Sequence, residues 1–153
     1  MGVWTDRVVP RLTDVALGQE EIGELRAVAC LGLHGRVLEV GFGSGLNLPY
    51  YPPEVVSVSA VEPSDVGWSL SRRRRARNRV PVRRIGLDGQ RLEAGDASYD
   101  AVLSTFALCT IPDATAALDE VRRVLRPGGM FHFLEHGLAP DAPVAAWQHR
   151  LEP

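Results

Sequence analysis

No apolar run in this 153-residue chain approaches the length of a membrane span, and the amino terminus lacks a signal-peptide pattern. Cysteine is scarce. Cys30 and Cys109 lie in apolar stretches, neither with a second cysteine or a histidine at metal-ligand spacing, so both read as reduced, structural thiols and no metal site is expected. Reduced thiols and the missing targeting pattern together point to the cytoplasm. Lysine is absent, all 17 basic residues being arginine. Formal net charge is only -2, which gives no global pull toward nucleic acid. No repeat, low-complexity linker or shift of composition divides the chain, whose length suits one domain and one core.

What is present is the balance of a globular protein, 45% hydrophobic and 24% charged, organised around Val37-Leu38-Glu39-Val40-Gly41-Phe42-Gly43-Ser44-Gly45-Leu46-Asn47. An apolar run that breaks into three alternate glycines reads as a buried strand turning into a loop whose backbone lies against a ligand. An ordinary tight strand-to-helix turn is the alternative. A dinucleotide-binding turn would place its third glycine at Leu46. Here Gly41, Gly43 and Gly45 follow Glu39, an acid at the strand's carboxyl end, which suits a ligand with a cationic amino-acid end better than a pyrophosphate. A short helix beginning at Asn47 and Leu48, and stopped by Pro52-Pro53, offers amide donors to a carboxylate.

Before this loop, residues 7 to 17 and 19 to 31 place Val8, Leu12, Val15 and then Ile22, Leu25, Val28 at helical spacing. These helices either cover one face of a sheet or lid the ligand pocket. After it, Val55 to Val61 is a second strand ending in Glu62-Pro63-Ser64, where one carboxylate can accept both hydroxyls of a ribose or simply face solvent. Residues 65 to 78 form a helix opened by Ser64 that runs into Arg72 to Arg75, a solvated face rather than a nucleic-acid patch since no aromatics interleave. Val80 to Ile85 carries Pro81 and two arginines, the marks of an edge strand. Strand four, Tyr99 to Ser104, opens onto Thr105 to Thr110, where the reacting end of a ligand belongs; Cys109 there reads as packing rather than as a nucleophile. Asp113 caps a helix that Arg126 to Gly129 stops. Met130 to Leu134 then reads as a buried fifth strand, ending in Glu135-His136, which is either a general-base pair or a structural one.

VLEVGFGSGLNLPYY resembles motif I of the class I S-adenosylmethionine-dependent methyltransferases, closest to the type 11 branch that includes alkyl-thiol methyltransferases. The resemblance continues through LSTFALCTIPD, VRRVLRPGG and FLEHGLAPD. It implies a Rossmann-like α/β sheet of order 3-2-1-4-5 with helices on both faces. Residues 1–34 would be amino-terminal helices, 35–136 the cofactor-binding core and 137–153 an incomplete end, without the usual strands 6 and 7. It also implies S-adenosylmethionine as cofactor, with Glu39, Gly41, Gly43, Gly45 and Asn47 at the methionine end and Glu62 with Pro63 at the ribose. Asp88 and Gly89 would meet the adenine, and Thr105 and Leu108 the sulfonium, with His136 a candidate base. Glu93 stands where the family often has proline.

The implied activity is methyl transfer to a small, lipophilic acceptor, by resemblance a thiol. Two alternatives stand beside it: a catalytically silent cofactor-binding or dimerisation module, joined through the edge beside strand five, and an NAD(P)-dependent oxidoreductase, which Leu46 disfavours.

Overall fold

Val37, Leu38 and Val40 are inaccessible to solvent on opposite faces of β1 (Gly35–Val40), and their alternation explains why this strand sits at the centre of a sheet covered on both sides. The computed structural model describes residues 9–137 and 140–143. In it β1 is followed by β2 (Val55–Val61), β3 (Val82–Gly86), β4 (Tyr99–Thr105) and β5 (Leu125–Leu134). All pair in parallel in the order β3-β2-β1-β4-β5, the order expected. Glu39 stands opposite Ala60 and Leu103, so the carboxyl ends of β1, β2 and β4 finish side by side. One core cluster gathers Val37, Leu48, Val58 and Leu103 on one face; Leu38, Val61, Val102 and Val124 form the other.

The helices are α1 (Val9–Ala16), α2 (Glu20–Cys30), α3 (Asp65–Leu70), α4 (Arg72–Arg77) and α5 (Ala114–Val124), with single 3₁₀ turns at Leu48–Tyr50 and Leu108–Thr110. The caps match the reading: Ser64 Oγ accepts from Gly67 N and Asp113 Oδ1 from Ala116 N. The expected helix over 65 to 78 is two, broken at Ser71. There the Ser71 hydroxyl donates to Trp68 O at 2.6 Å and accepts from Arg75 Nε at 2.7 Å, a local bond that competes with helix continuation. Proline suits β3 to the edge, and the strand starts at Val82 because Pro81 has no N–H to give, its carbonyl only accepting from Val58 N.

Three expectations are corrected. The apolar stripe Ile22, Leu25, Val28 is not the buried face of α2: Leu25 and Val28 are 51% and 65% exposed, and Gly23, Arg26 and Cys30 point inward. Gly23 lets the Tyr50 hydroxyl pack directly against the helix backbone, and Arg26 enters a polar network beneath. On α1, Leu12 and Val15 are likewise exposed. Strand five is not buried, with Met130 and Phe133 more than half exposed, because β5 pairs only with β4 among the described residues. Cys109 is exposed, on the turn after β4, and therefore is not a packing residue; Cys30 is buried. Val8 and a helix from Ala145 to His149 lie outside the described residues.

Candidate functional site

The loop leaving β1 uses its three glycines for three different purposes, all at positive φ. A Cβ at Gly41 would collide with the Ala107 side chain, so this glycine permits close approach of the loops after β1 and β4. A Cβ at Gly45 would press on Leu48 Cδ1 at 2.7 Å. Gly43 differs, for a Cβ there meets no atom within 4 Å: the chain passes an open cradle.

Glu62, at the tip of β2, holds that cradle. Its Oε2 accepts from Gly43 N at 2.5 Å and its Oε1 from Ser64 N at 2.7 Å, while the residue is 5% exposed. Burial pushes the carboxyl above its ordinary pKa, opposed by the two backbone donors and by Arg84. Each oxygen keeps a further lone pair for a ligand hydroxyl. The cleft above them measures about 220 Å³ and is lined by Gly41, Gly43, Glu62, Pro63 and Thr105 among the expected site residues. Glu39, Gly45, Asn47, Asp88, Gly89, Leu108 and His136 do not line it.

Glu39 lies one layer beneath. It is 1% exposed, takes the Tyr51 hydroxyl and accepts from Asn47 Nδ2 at 2.8 Å. Asn47 Nδ2 also reaches Thr105 Oγ1 at 2.9 Å, and Arg26 Nη1 donates to both Asn47 Oδ1 and Thr105 Oγ1 at 2.8 Å. Arg26 and Asn47 together engage both lone pairs of Thr105 Oγ1, so the hydroxyl enters this network as an acceptor. Burial, against the bonds from Tyr51 and Asn47, pushes the Glu39 carboxyl up to about 7. A proton is then held in the native state, and lost in the unfolded chain, between the ordinary value of 4.5 and about 7. Stability contributed by this group therefore falls as pH rises through that window, by about 3 kcal/mol, and levels above it. Urea midpoints at pH 5 and pH 8 check the sign; the fall is expected to be smaller in Glu39→Gln, since Glu62 is raised as well.

The loop after β4 is strained and clamped. Phe106 has φ 54°, a left-handed backbone rarely tolerated by a side chain. Glu135 Oε1 holds it by accepting from Ala107 N and Leu108 N, both at 3.1 Å, and from the Ser104 hydroxyl at 3.0 Å. The Phe106 ring has the Arg26 guanidinium 5.2 Å and the His136 ring 4.7 Å from its centroid. Glu135 and His136 thus serve separate contacts, the first on the loop after β4 and the second on the Phe106 ring. Asp88 Oδ1 accepts from Gln90 N at 2.8 Å, and Gly89 packs where a Cβ would come within 3.1 Å of Val40, beside the end of β1.

The amino-terminal helices close the cleft as well as covering the sheet. Asp14 Oδ1 on α1 accepts from the Ser44 hydroxyl at 2.5 Å and from Arg74 Nη1 at 2.9 Å, linking α1 to the glycine loop and α4. Sequence reasoning missed Asp14, Arg26 and Phe106. For Arg26 a signal existed: Gly23, Arg26 and Cys30 share helical spacing, and a lone arginine on a face with glycine and cysteine marks an inward polar position. Among the described residues no three metal-ligating side chains converge.

Residues 38–133 match the family described as the methyltransferase domain. The chain is 36% identical over 121 residues to the thiol S-methyltransferase TMT1B of Rattus norvegicus, covering 76% of this chain and 49% of that protein. It is 32% identical over 126 residues to a phosphatidylethanolamine N-methyltransferase of Cereibacter sphaeroides, covering 76% and 58%. The chain spans about half the length of the curated relatives it matches. The crystal structure of the YcgJ protein of a Bacillus shares the fold, with a TM-score of 0.68 at 23% identity, covering 87% of this chain and 58% of that one.

Proposed function

Because this chain belongs to the class I S-adenosylmethionine-dependent methyltransferases, we propose that it binds S-adenosylmethionine in the cleft under α1 and transfers its methyl group to a small, lipophilic acceptor, a thiol first among them. The observation that carries the reading is Glu62: a buried carboxylate whose two oxygens each have one backbone partner and one lone pair to give, beside a glycine with open space at its Cβ. That is the arrangement a vicinal diol requires. When bound, the cofactor supplies a methyl group already activated on a sulfonium, so the protein's work is alignment and exclusion of water.

Glu62 and Pro63 would hold the ribose, and Gly41 and Gly43 would let the loop backbone approach the amino-acid end. Glu39, Asn47 and Gly45 act from beneath by fixing the loop and Thr105. Asp88 and Gly89 flank the end of β1, where an adenine can lie, and Leu108 follows the clamped loop at the reacting end. Leu17, Leu46 and Phe106 give the cleft an apolar wall suited to a lipophilic acceptor. A thiol must lose its proton, and exposed His136, whose ring lies 4.7 Å from that of Phe106 in this wall, is the candidate base.

The cytoplasm suits two free thiols, and no helix among the described residues is long and apolar enough to cross a membrane. Among the described residues β5 pairs with β4 alone, and with Met130 and Phe133 exposed this favours self-association along that edge. The deciding experiment is calorimetric titration with S-adenosylmethionine and S-adenosylhomocysteine, followed by methyl transfer to a thiol panel and size-exclusion across a dilution series. Saturable binding with thiol methylation supports the reading. Binding without turnover on any acceptor leaves a cofactor-binding module, and no binding by a folded chain removes the cofactor reading. A size-exclusion volume of a monomer at every concentration removes the self-association.

A further inference from the structure

Eight of the 17 arginines crowd into residues 72–84, and no acid stands among them, although the chain as a whole has a formal charge of -2. Two of the eight are neutralised, Arg74 by Asp14 and Arg84 by Asp65. The other six form no ion pair among the described residues, and all but the half-buried Arg75 are exposed.

Three of these six share one recess. Arg72 and Arg75, three apart on α4, and Arg79, just beyond its end, line an open groove of about 380 Å³ beside Val80, Pro81 and Val82. None of the residues lining it lines the cleft under α1. Like charges three apart on a helix repel. The Arg75 guanidinium lies 3.7 Å over the Trp68 ring, and burial pushes its pKa below the ordinary value with no carboxylate opposing. Arg79 reaches only the carbonyl oxygens of Pro53 and Tyr51, at 3.3 and 3.4 Å. An anion in the groove would relieve all three guanidiniums at once.

Charge and shape narrow the class of that anion. Guanidinium forks match the oxygens of carboxylate and phosphate, and a phosphate brings about 1.5 to 2 charges where a carboxylate brings one, so two linked phosphates balance three arginines. A strand of nucleic acid would want an open aromatic face for its bases, and the ring at hand, Trp68, already carries Arg75. A recess suits a ligand small enough to enter it better than it suits a bilayer.

We propose that this groove is a second binding site, separate from the cleft under α1, for a small ligand with two or more linked phosphate groups, held by Arg72, Arg75 and Arg79. Inorganic triphosphate and the phosphate chain of a nucleotide share that chemistry.

The test is calorimetry on the full chain with inorganic phosphate, sulfate, inorganic triphosphate and adenosine triphosphate, in a phosphate-free buffer at one ionic strength so that screening is equal throughout. The wild type is expected to bind inorganic triphosphate about tenfold or more tighter than phosphate or sulfate. Adenosine triphosphate bound at least as tightly points to a nucleotide, and weaker binding points to the free anion. The double variant Arg72→Gln, Arg79→Gln should lose about tenfold or more of the triphosphate affinity. Arg73→Gln, Arg77→Gln removes the same charge from outside the groove and should stay within about threefold. Thermal melts check the fold of each; should the groove variant not fold, the wild-type ranking and the second variant still decide. The proposal is overturned if the four anions bind alike or not at all, if the groove variant keeps its affinity, or if both variants lose it equally, the mark of a general field. A single-stranded oligonucleotide or phosphatidylglycerol vesicles bound tighter than triphosphate would overturn the small-ligand class.

Discussion

Glu62→Ala is expected to weaken binding of S-adenosylhomocysteine by about 10²- to 10³-fold or more. A hydrogen bond to a charged group contributes about 1.5–3 kcal/mol, and the carboxylate has two oxygens free to take ribose hydroxyls. The substitution also strips an acceptor from Gly43 N and Ser64 N, bonded at 2.5 and 2.7 Å, and so loosens the loop that forms the cradle. Glu62→Gln separates the two effects. An amide keeps one acceptor oxygen but presents an NH₂ group to a backbone donor, so part of the loss persists with the side-chain shape intact. Calorimetry reads the affinity and a thermal melt reads the fold; affinity within threefold of the wild type in Glu62→Ala would sink the ribose assignment.

Gly43→Ala and Gly41→Ala should fail in different ways. Both residues have positive φ, at 56° and 73°, where an alanine costs roughly 1–2 kcal/mol. At Gly43 the new methyl meets no protein atom within 4 Å, so the fold survives and the methyl stands in the cradle itself. Binding is expected to fall about a hundredfold with a modest drop in melting temperature, as a filled site cannot also take a ligand. At Gly41 the methyl runs into Ala107, and overpacking of about 1–3 kcal/mol adds to the backbone strain, so stability is lost first. Normal binding by Gly43→Ala would contradict a ligand lying against this loop.

The order of the sheet could be read in advance because each strand carries its own local signal. Pro81 and two arginines mark β3 as an edge, the apolar run of β1 marks a centre, and Asp113 marks where α5 starts. The places of Glu62 and Gly43 at the cleft were legible for the same reason, since they stand at a strand tip and in a glycine loop. The inward face of α2 was not. Hydrophobic periodicity assumes that the apolar side turns inward, whereas here a buried network of Glu39, Asn47, Tyr51 and Thr105 selects the side bearing Arg26. Glu39 was legible as an acid near the loop but not as a residue beneath it, because a strand pattern fixes the face of a side chain and not the depth at which its partners meet it. The burial of β5 failed for a related reason: apolar content says what a strand could cover, not what covers it.

Asp14 joins α1 to Ser44 and Arg74 through side chains that are still 22% and 36% exposed in the ion pair itself. Pairs so wet contribute at most about 1 kcal/mol and weaken with salt. The closure over the cleft is therefore a catch rather than a seal, and the residence time of a spent nucleoside should shorten as ionic strength rises; stopped-flow release of S-adenosylhomocysteine that ignores salt, or that is unchanged in Asp14→Asn, would place the timing of turnover elsewhere.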